Sequence, residues 1–166
     1  ETDIHQMHKL GVFGESIIAP QQACYPVPPS VSSEVGALIG CCVTTGVGSV
    51  INNPAASVGM TVAVFGCGGV GLNVIQGARL FNASKIIAVD IANHKLDFSY
   101  KFGATDVINS KEVDAVEVIK DLTQGGVDMA LDSFGSSVTT SDAVRSVRKG
   151  GTAVMIGLGS VGETTP

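Results

Sequence analysis

From Thr61 onward the chain alternates short apolar runs with stretches whose apolar residues recur at helical spacing. Thr61–Phe65 is uninterrupted and suits a strand buried on both faces. Val70, Val74, Ala78 and Phe81 then recur at three- and four-residue intervals, which predicts a helix opening near Gly69. The same alternation predicts strands at 85–89, 105–108, 127–131 and 152–156, with helices at 92–102, 113–122 and 141–147. Gly103 sits where a left-handed C-cap belongs, and Gly125-Gly126 and Gly150-Gly151 read as turns. Five short strands with helical crossovers make an α/β fold, a doubly wound parallel sheet with right-handed connections.

The first third follows another pattern. Residues 1–14 carry His5 and His8 but no period, and Ile17-Ile18-Ala19 can serve as a short strand. Pro20, Pro26, Pro28 and Pro29 mark a loop, and Ser32 or Ser33 can cap a helix opening near Glu34. That helix, or a pair broken near 40–46, runs to about Asn52. Residues 35–51 carry no charge, yet four glycines, two threonines and a serine interrupt them, and a bilayer span needs about 20 mostly apolar residues. Buried helices in a protein without a membrane segment are the expectation.

Composition narrows the function classes. Of 166 residues, 45% are apolar and 15% charged, with mean hydropathy +0.37, which suits a packed core and excludes a disordered chain. The net charge of −5 and the absence of any basic run argue against nucleic acid as a partner. Four cysteines (Cys24, Cys41, Cys42, Cys67) form no Cys-x-x-Cys pair, which fits a reducing, cytoplasmic setting. The chain opens on Glu1 without a signal peptide and stops at Pro166 without a finishing helix, as a fragment would.

Gly66-Cys67-Gly68-Gly69-Val70-Gly71 falls between a predicted strand and a predicted helix. In that context Gly66 allows a tight turn, Gly68 lets the backbone approach a pyrophosphate, and Gly71 lets helix and sheet pack closely. The free N–H groups of the helix start then meet the phosphate charge. A plain strand-to-helix turn needing small residues is the alternative. Asp90 closes the second strand, 19 residues past Gly71. Its carboxylate can accept from a ribose 2′-hydroxyl and would repel a 2′-phosphate, which favours NAD over NADP; it can equally cap the next helix. Lys95 can reach the same ribose or stay solvated.

Together with Phe102-Gly103-Ala104-Thr105, these residues resemble the coenzyme domain of zinc-containing alcohol dehydrogenases of the medium-chain dehydrogenase/reductase superfamily. Gly125-Gly126-Val127-Asp128 and Lys149-Gly150-Gly151 fall at similar turns, and residues 38–46 resemble the helical segment that carries the third catalytic zinc ligand. The likeness runs from about Leu10 to Gly159. It implies a Rossmann-type domain at 44–166, truncated at its end and preceded at 1–43 by a remnant of a GroES-like, barrel-like catalytic domain. Carried over, it makes Cys41 the zinc thiolate and sets Thr45 beside the nicotinamide. Gly66, Gly68, Gly69, Val70 and Gly71 fall at the pyrophosphate turn, Asp90 and Lys95 at the adenosine ribose. Phe134 then borders the adenine, and Ile156 to Leu158 the nicotinamide. Cys42 stands where a glycine is frequent and Asp132 where a glutamate is frequent. Without the resemblance, Cys41 would read as a small core residue.

The resemblance implies hydride transfer between a small alcohol or aldehyde and NAD, aided by a catalytic zinc with three protein ligands, two of them outside this chain. The parent is expected to be a homo-oligomer, and the fragment alone inactive. His5, His8 and His94 read as loop or surface residues. Two other readings share the fold: a non-catalytic NAD-sensing module, which needs neither Cys41 nor the 44–46 segment, and a zinc-free quinone-type reductase, which Cys41 disfavours. A methyltransferase fits the 68–71 glycines less well.

Overall fold

The computed structural model describes residues 14–159 together with Gly162 and Thr164; His5 and His8 lie outside the described residues. The described residues up to Gly36 belong to one compact unit and those from Ala37 to a second. In the first unit a 3-10 turn, Gln21–Ala23, sits among the prolines. The strand expected at Ile17-Ile18-Ala19 does not form, and Ile18 is fully exposed. An extended run gains ladder hydrogen bonds only beside another strand, and none stands among the described residues of this unit.

Three helical pieces run end to end: α1 (Ser33–Leu38), a π-helical turn (Ile39–Val43) and α2 (Thr44–Ile51). The break expected near 40–46 is therefore a widened turn inside a helix. Among the described residues this one helix, Ser33–Ile51, is long and apolar enough to cross a bilayer. Its second half is packed against protein, but the first half, expected to be buried, is not: Val35, Leu38 and Ile39 are exposed. A Cβ on Gly46 would stand 2.5 Å from both the Val70 carbonyl oxygen and the Asn73 Cβ, so α2 crosses the helix after the glycine turn at backbone contact.

The sheet holds β1 (Thr61–Phe65), β2 (Lys85–Asp90), β3 (Asp106–Asn109), β4 (Val127–Asp132) and β5 (Val147–Met155), all parallel, in the order β3-β2-β1-β4-β5. Helices α3 (Gly69–Leu80), α4 (Asn93–Phe102), α5 (Ala115–Thr123) and α6 (Ser137–Ser146) connect them. Alternate strand residues feed two cores, as expected of a sheet covered on both sides. Val62, Val64, Ile86, Ala88, Met129 and Leu131 pack with α3 residues Val74, Ile75 and Ala78. Ala63, Phe65, Ile87, Val89 and Ala130 pack with Ala115, Ile119 and Ala143 on the other face. The chain leaves β1 toward β2 and β3, then returns to place β4 on the opposite side. That reversal opens a crevice between the ends of β1 and β4, the usual ligand position in such sheets.

Three boundaries differ from the sequence pattern by more than one residue, each for a local reason. α5 begins at Ala115 instead of 113, because Asp114 accepts from Val116 N (2.9 Å) and Glu117 N (3.2 Å) and so caps the helix. α6 begins four residues before 141, where Ser136 and Thr139 form a reciprocal capping box. The Gly150-Gly151 turn is a bulge inside β5: Val127 pairs with Val147 but Met129 with Thr152, and Gly150 takes φ +75°.

Candidate functional site at the carboxyl end of the sheet

The turn after β1 contains two glycines that the protein itself requires. Gly66 adopts φ +90°, a conformation open mainly to glycine. At Gly71 a Cβ would run into the Gly66 carbonyl oxygen and stand 2.7 Å from Ser133 Oγ. Ser133, just past β4, shares its hydroxyl proton between Gly66 O (2.7 Å) and Phe65 O (3.0 Å), which ties the turn to the neighbouring strand. Gly68 is different. Its φ is −83°, and a Cβ there would meet nothing within 4 Å among the described residues. Neither backbone strain nor packing among the described residues calls for glycine at 68.

Gly68 is also the N-cap of α3, and no side chain caps it. The first bond of the helix runs from Leu72 N to Gly68 O (2.9 Å), so the N–H groups of its opening turn are available to an outside acceptor. α5 and α6 satisfy theirs with Asp114 and Ser136. An anion is the natural partner for an uncapped helix start beside a bare backbone.

Asp90 ends β2 with its side chain almost fully buried, only 7% of the residue being exposed. One oxygen accepts from Ile91 N (2.8 Å) and Ala92 N (3.0 Å), the other from Cys67 N (2.8 Å). Ala92, not Asp90, is the N-cap of α4, so the carboxylate works two residues ahead of the capping position. A carboxylate has roughly four acceptor positions. Three backbone donors leave about one for a ligand, on the oxygen that Lys95 Nζ approaches to 3.8 Å. Within the same turn Cys67 is buried, and burial pushes its thiol up to about 12, with the Asp90 charge adding and Lys95 opposing. A thiol so held is a weak nucleophile and a poor metal ligand.

Gly66, Asp90, Lys95 and Phe134 line one cavity of about 310 Å³ at this end of the sheet. Phe134 is held there because Asp132, fully buried, accepts from Phe134 N and Gly135 N (both 3.0 Å) and from the Thr140 hydroxyl (2.7 Å). Gly68, Gly69, Val70 and Gly71 form the adjoining helix start. Cys41, Thr45, Ile156 and Leu158 lie outside the cavity. Ile156 and Leu158 follow β5, where Ile156 N donates to Asp132 O (2.9 Å); Ile156 is half-buried and Leu158 exposed.

The two adjacent thiols face different surroundings. Cys42 is half-buried toward α3: its sulfur accepts from Asn73 Nδ2 (3.8 Å) and donates to Leu38 O (3.4 Å). Cys41 and Thr45 are exposed, and the Cys41 thiol has no hydrogen-bond partner among the described residues. No group of three His, Cys, Asp or Glu able to hold a metal occurs among the described residues, and His94 is exposed on α4. Ser110, Thr139 and Asp142 also line the cavity and were not legible from spacing, because β3 and α6 bring them in from far along the chain.

Residues 69–166 match the family described as zinc-binding dehydrogenase. The S-(hydroxymethyl)glutathione dehydrogenase of Saccharomyces cerevisiae is 40% identical over 97% of this chain and 43% of its own length. Among solved structures, the benzyl alcohol dehydrogenase of Acinetobacter calcoaceticus superposes with a TM-score of 0.79 at 38% identity, over 84% of this chain and 39% of that one. The 2R,3R-butanediol dehydrogenase of Bacillus subtilis gives 0.72 at 30% identity, over 86% and 40%. The chain thus spans less than half the length of these relatives.

Proposed function

Because the chain belongs to the zinc-binding dehydrogenase family, we propose that it is the coenzyme-binding part of an NAD- and zinc-dependent alcohol dehydrogenase. Gly68 carries this reading: it is a glycine that the chain's own geometry does not demand, at an uncapped helix start, where a Cβ would fill the space a pyrophosphate needs. The N–H groups at Gly69 and Val70 would receive the phosphate oxygens, with Gly71 and Gly66 keeping the turn closed. Asp90 would accept from the adenosine ribose, and Lys95 would approach the same sugar. A 2′-phosphate would meet the buried Asp90 charge, so NAD is preferred to NADP. Phe134 would flank the adenine ring.

Bound coenzyme and zinc would supply hydride-transfer chemistry and Lewis acidity. This chain's part is to orient. Cys41 would be one of three zinc ligands, its thiol exposed and without a hydrogen-bond partner among the described residues, while Cys42 is turned toward Asn73 of α3. Thr45, one helical turn further on, would face the nicotinamide, with Ile156 and Leu158 on its other side. Residues 1–43 would belong to the catalytic domain and 44–166 to the coenzyme domain. The whole protein would act on a small alcohol or aldehyde, as a homo-oligomer in the cytoplasm.

Titration of the chain with NADH and NADPH, followed by nicotinamide fluorescence, tests the reading. Weak, saturable NADH binding with a clear preference over NADPH is expected, and no alcohol oxidation, because two of the three zinc ligands would lie outside this chain. Absence of NADH binding, or turnover by the chain alone, would contradict it.

A further inference from the structure

The cavity has a second carboxylate that the coenzyme reading leaves without a task. Ser136, Thr139 and Asp142 follow one another at three-residue spacing and line the same wall from α6. The first two are spent within the protein. Ser136 Oγ accepts from Thr139 N (3.1 Å), and the Thr139 hydroxyl lies 3.2 Å from Asp132. Asp142 is not spent. Its side chain is 24% exposed, and its only carboxylate partner among the described residues is Arg145 Nη1 at a long 3.4 Å. Burial pushes this carboxyl above its ordinary value, Arg145 opposing and Asp114 reinforcing, the behaviour of an acid short of hydrogen-bond donors. Apolar walls from Ile91, Phe134 and Val138 line the cavity that Asp90 and Asp142 share, a setting for a flat ring.

We propose that Asp142 reads the base: its carboxylate accepts a hydrogen bond from the exocyclic amino group of adenine and sets a preference for the adenine dinucleotide over its hypoxanthine counterpart. The proposal rests on the coenzyme reading of this cavity. A carboxylate can only accept, so it needs a donor on the ring. Adenine presents an amino group at the six-position where hypoxanthine presents a carbonyl, whose lone pairs would oppose the carboxylate. The same logic makes Asp142 a specificity-determining residue of the known fold rather than a part of the reacting centre.

The test compares binding of NADH and of reduced nicotinamide hypoxanthine dinucleotide by the full chain, in the wild type, Asp142→Asn and Asp142→Ala. The wild type should hold the adenine form about tenfold more tightly, the effect of one charge-assisted hydrogen bond. Asp142→Asn, whose amide can donate to the carbonyl, should bring the two ligands within about twofold, and Asp142→Ala should narrow the gap as well. Because each result is a ratio within one protein, a change in stability cancels. Equal or tighter binding of the hypoxanthine form by the wild type, or a ratio unchanged in both variants, overturns the assignment to Asp142 and leaves NAD binding standing. A wild type that binds no NADH removes the coenzyme reading and this proposal together.

Discussion

Alanine at position 68 and alanine at position 71 should fail in opposite ways. Gly68 has an extended backbone, φ −83° and ψ −167°, and open space where a Cβ would stand. Alanine is a poorer N-cap than glycine by about 0.5 kcal/mol. It also stiffens the unfolded chain, which returns about 0.4–1 kcal/mol. The two nearly cancel, so Gly68→Ala should melt within about 2 °C of the wild type. Its cost falls on the ligand. A methyl group between the helix start and a pyrophosphate removes at least one charge-assisted hydrogen bond, about 1.5–3 kcal/mol, and weakens NADH binding by about 10- to 100-fold. Gly71→Ala instead drives a Cβ into the Gly66 carbonyl, which is part of the turn and has nowhere to go. Overpacking against backbone should cost about 3 kcal/mol, roughly 6–12 °C of melting temperature in a chain of this length. Paired thermal melts and NADH titrations read both quantities. If Gly68→Ala binds NADH as the wild type does, the space at 68 is not kept for a phosphate.

Two further outcomes are expected. In the full-length protein, Cys41→Ala should lose its zinc and more than about 100-fold of its activity, since even partners one step removed from a metal cost 10–100-fold; Cys42→Ala should keep its zinc, and metal analysis of both would expose a reversed assignment. Asp128, held below its ordinary value of 3.8 chiefly by the Thr61 N–H, with Arg148 and the Thr61 hydroxyl assisting, stabilises the fold while ionised. A depressed acid contributes fully above its unfolded pKa and loses that contribution as pH falls through the folded value, so Asp128→Asn should be less stable near neutrality and the gap should close from about pH 5 downward. A gap that stays constant to pH 2 in denaturant titrations would refute it.

The sheet was legible because its signal is local. Thr61–Phe65 needs no knowledge of its neighbours to read as a buried strand, and the strand forms with those ends. Where the pattern misled, a contact from elsewhere decided. Ile17-Ile18-Ala19 has the composition of a strand but no partner among the described residues, so its backbone stays irregular. The serine- and threonine-rich run at 136–140 resembles a loop, yet Thr139 takes the place that Glu or Gln usually holds in a capping box and starts α6 early. Two glycines at 150–151 look like a turn, but pairing with β4 resumes directly beyond them and they become a bulge.

The site divides along the same line. The glycine turn and Asp90 could be read from spacing because the strand, turn and helix that carry them are consecutive. The groups that hold them in place could not. Ser133 reaches the Gly66 carbonyl only because β4 lies beside β1, and Asp132 aims Phe134 only because α6 returns its threonines to the end of β4. Asp90 joins the two levels. Its spacing from the glycine turn marks it as a group for a ligand, and in the fold it already accepts three backbone N–H groups, one from the glycine turn itself. Its charge is therefore oriented before any ligand arrives, so a ribose hydroxyl would meet an acceptor that needs no rearrangement. The same arrangement makes Asp90 a poor position at which to measure affinity alone, since removing its carboxylate would release the turn along with the sugar. Gly68, where a Cβ would meet nothing among the described residues, is where the two effects come apart.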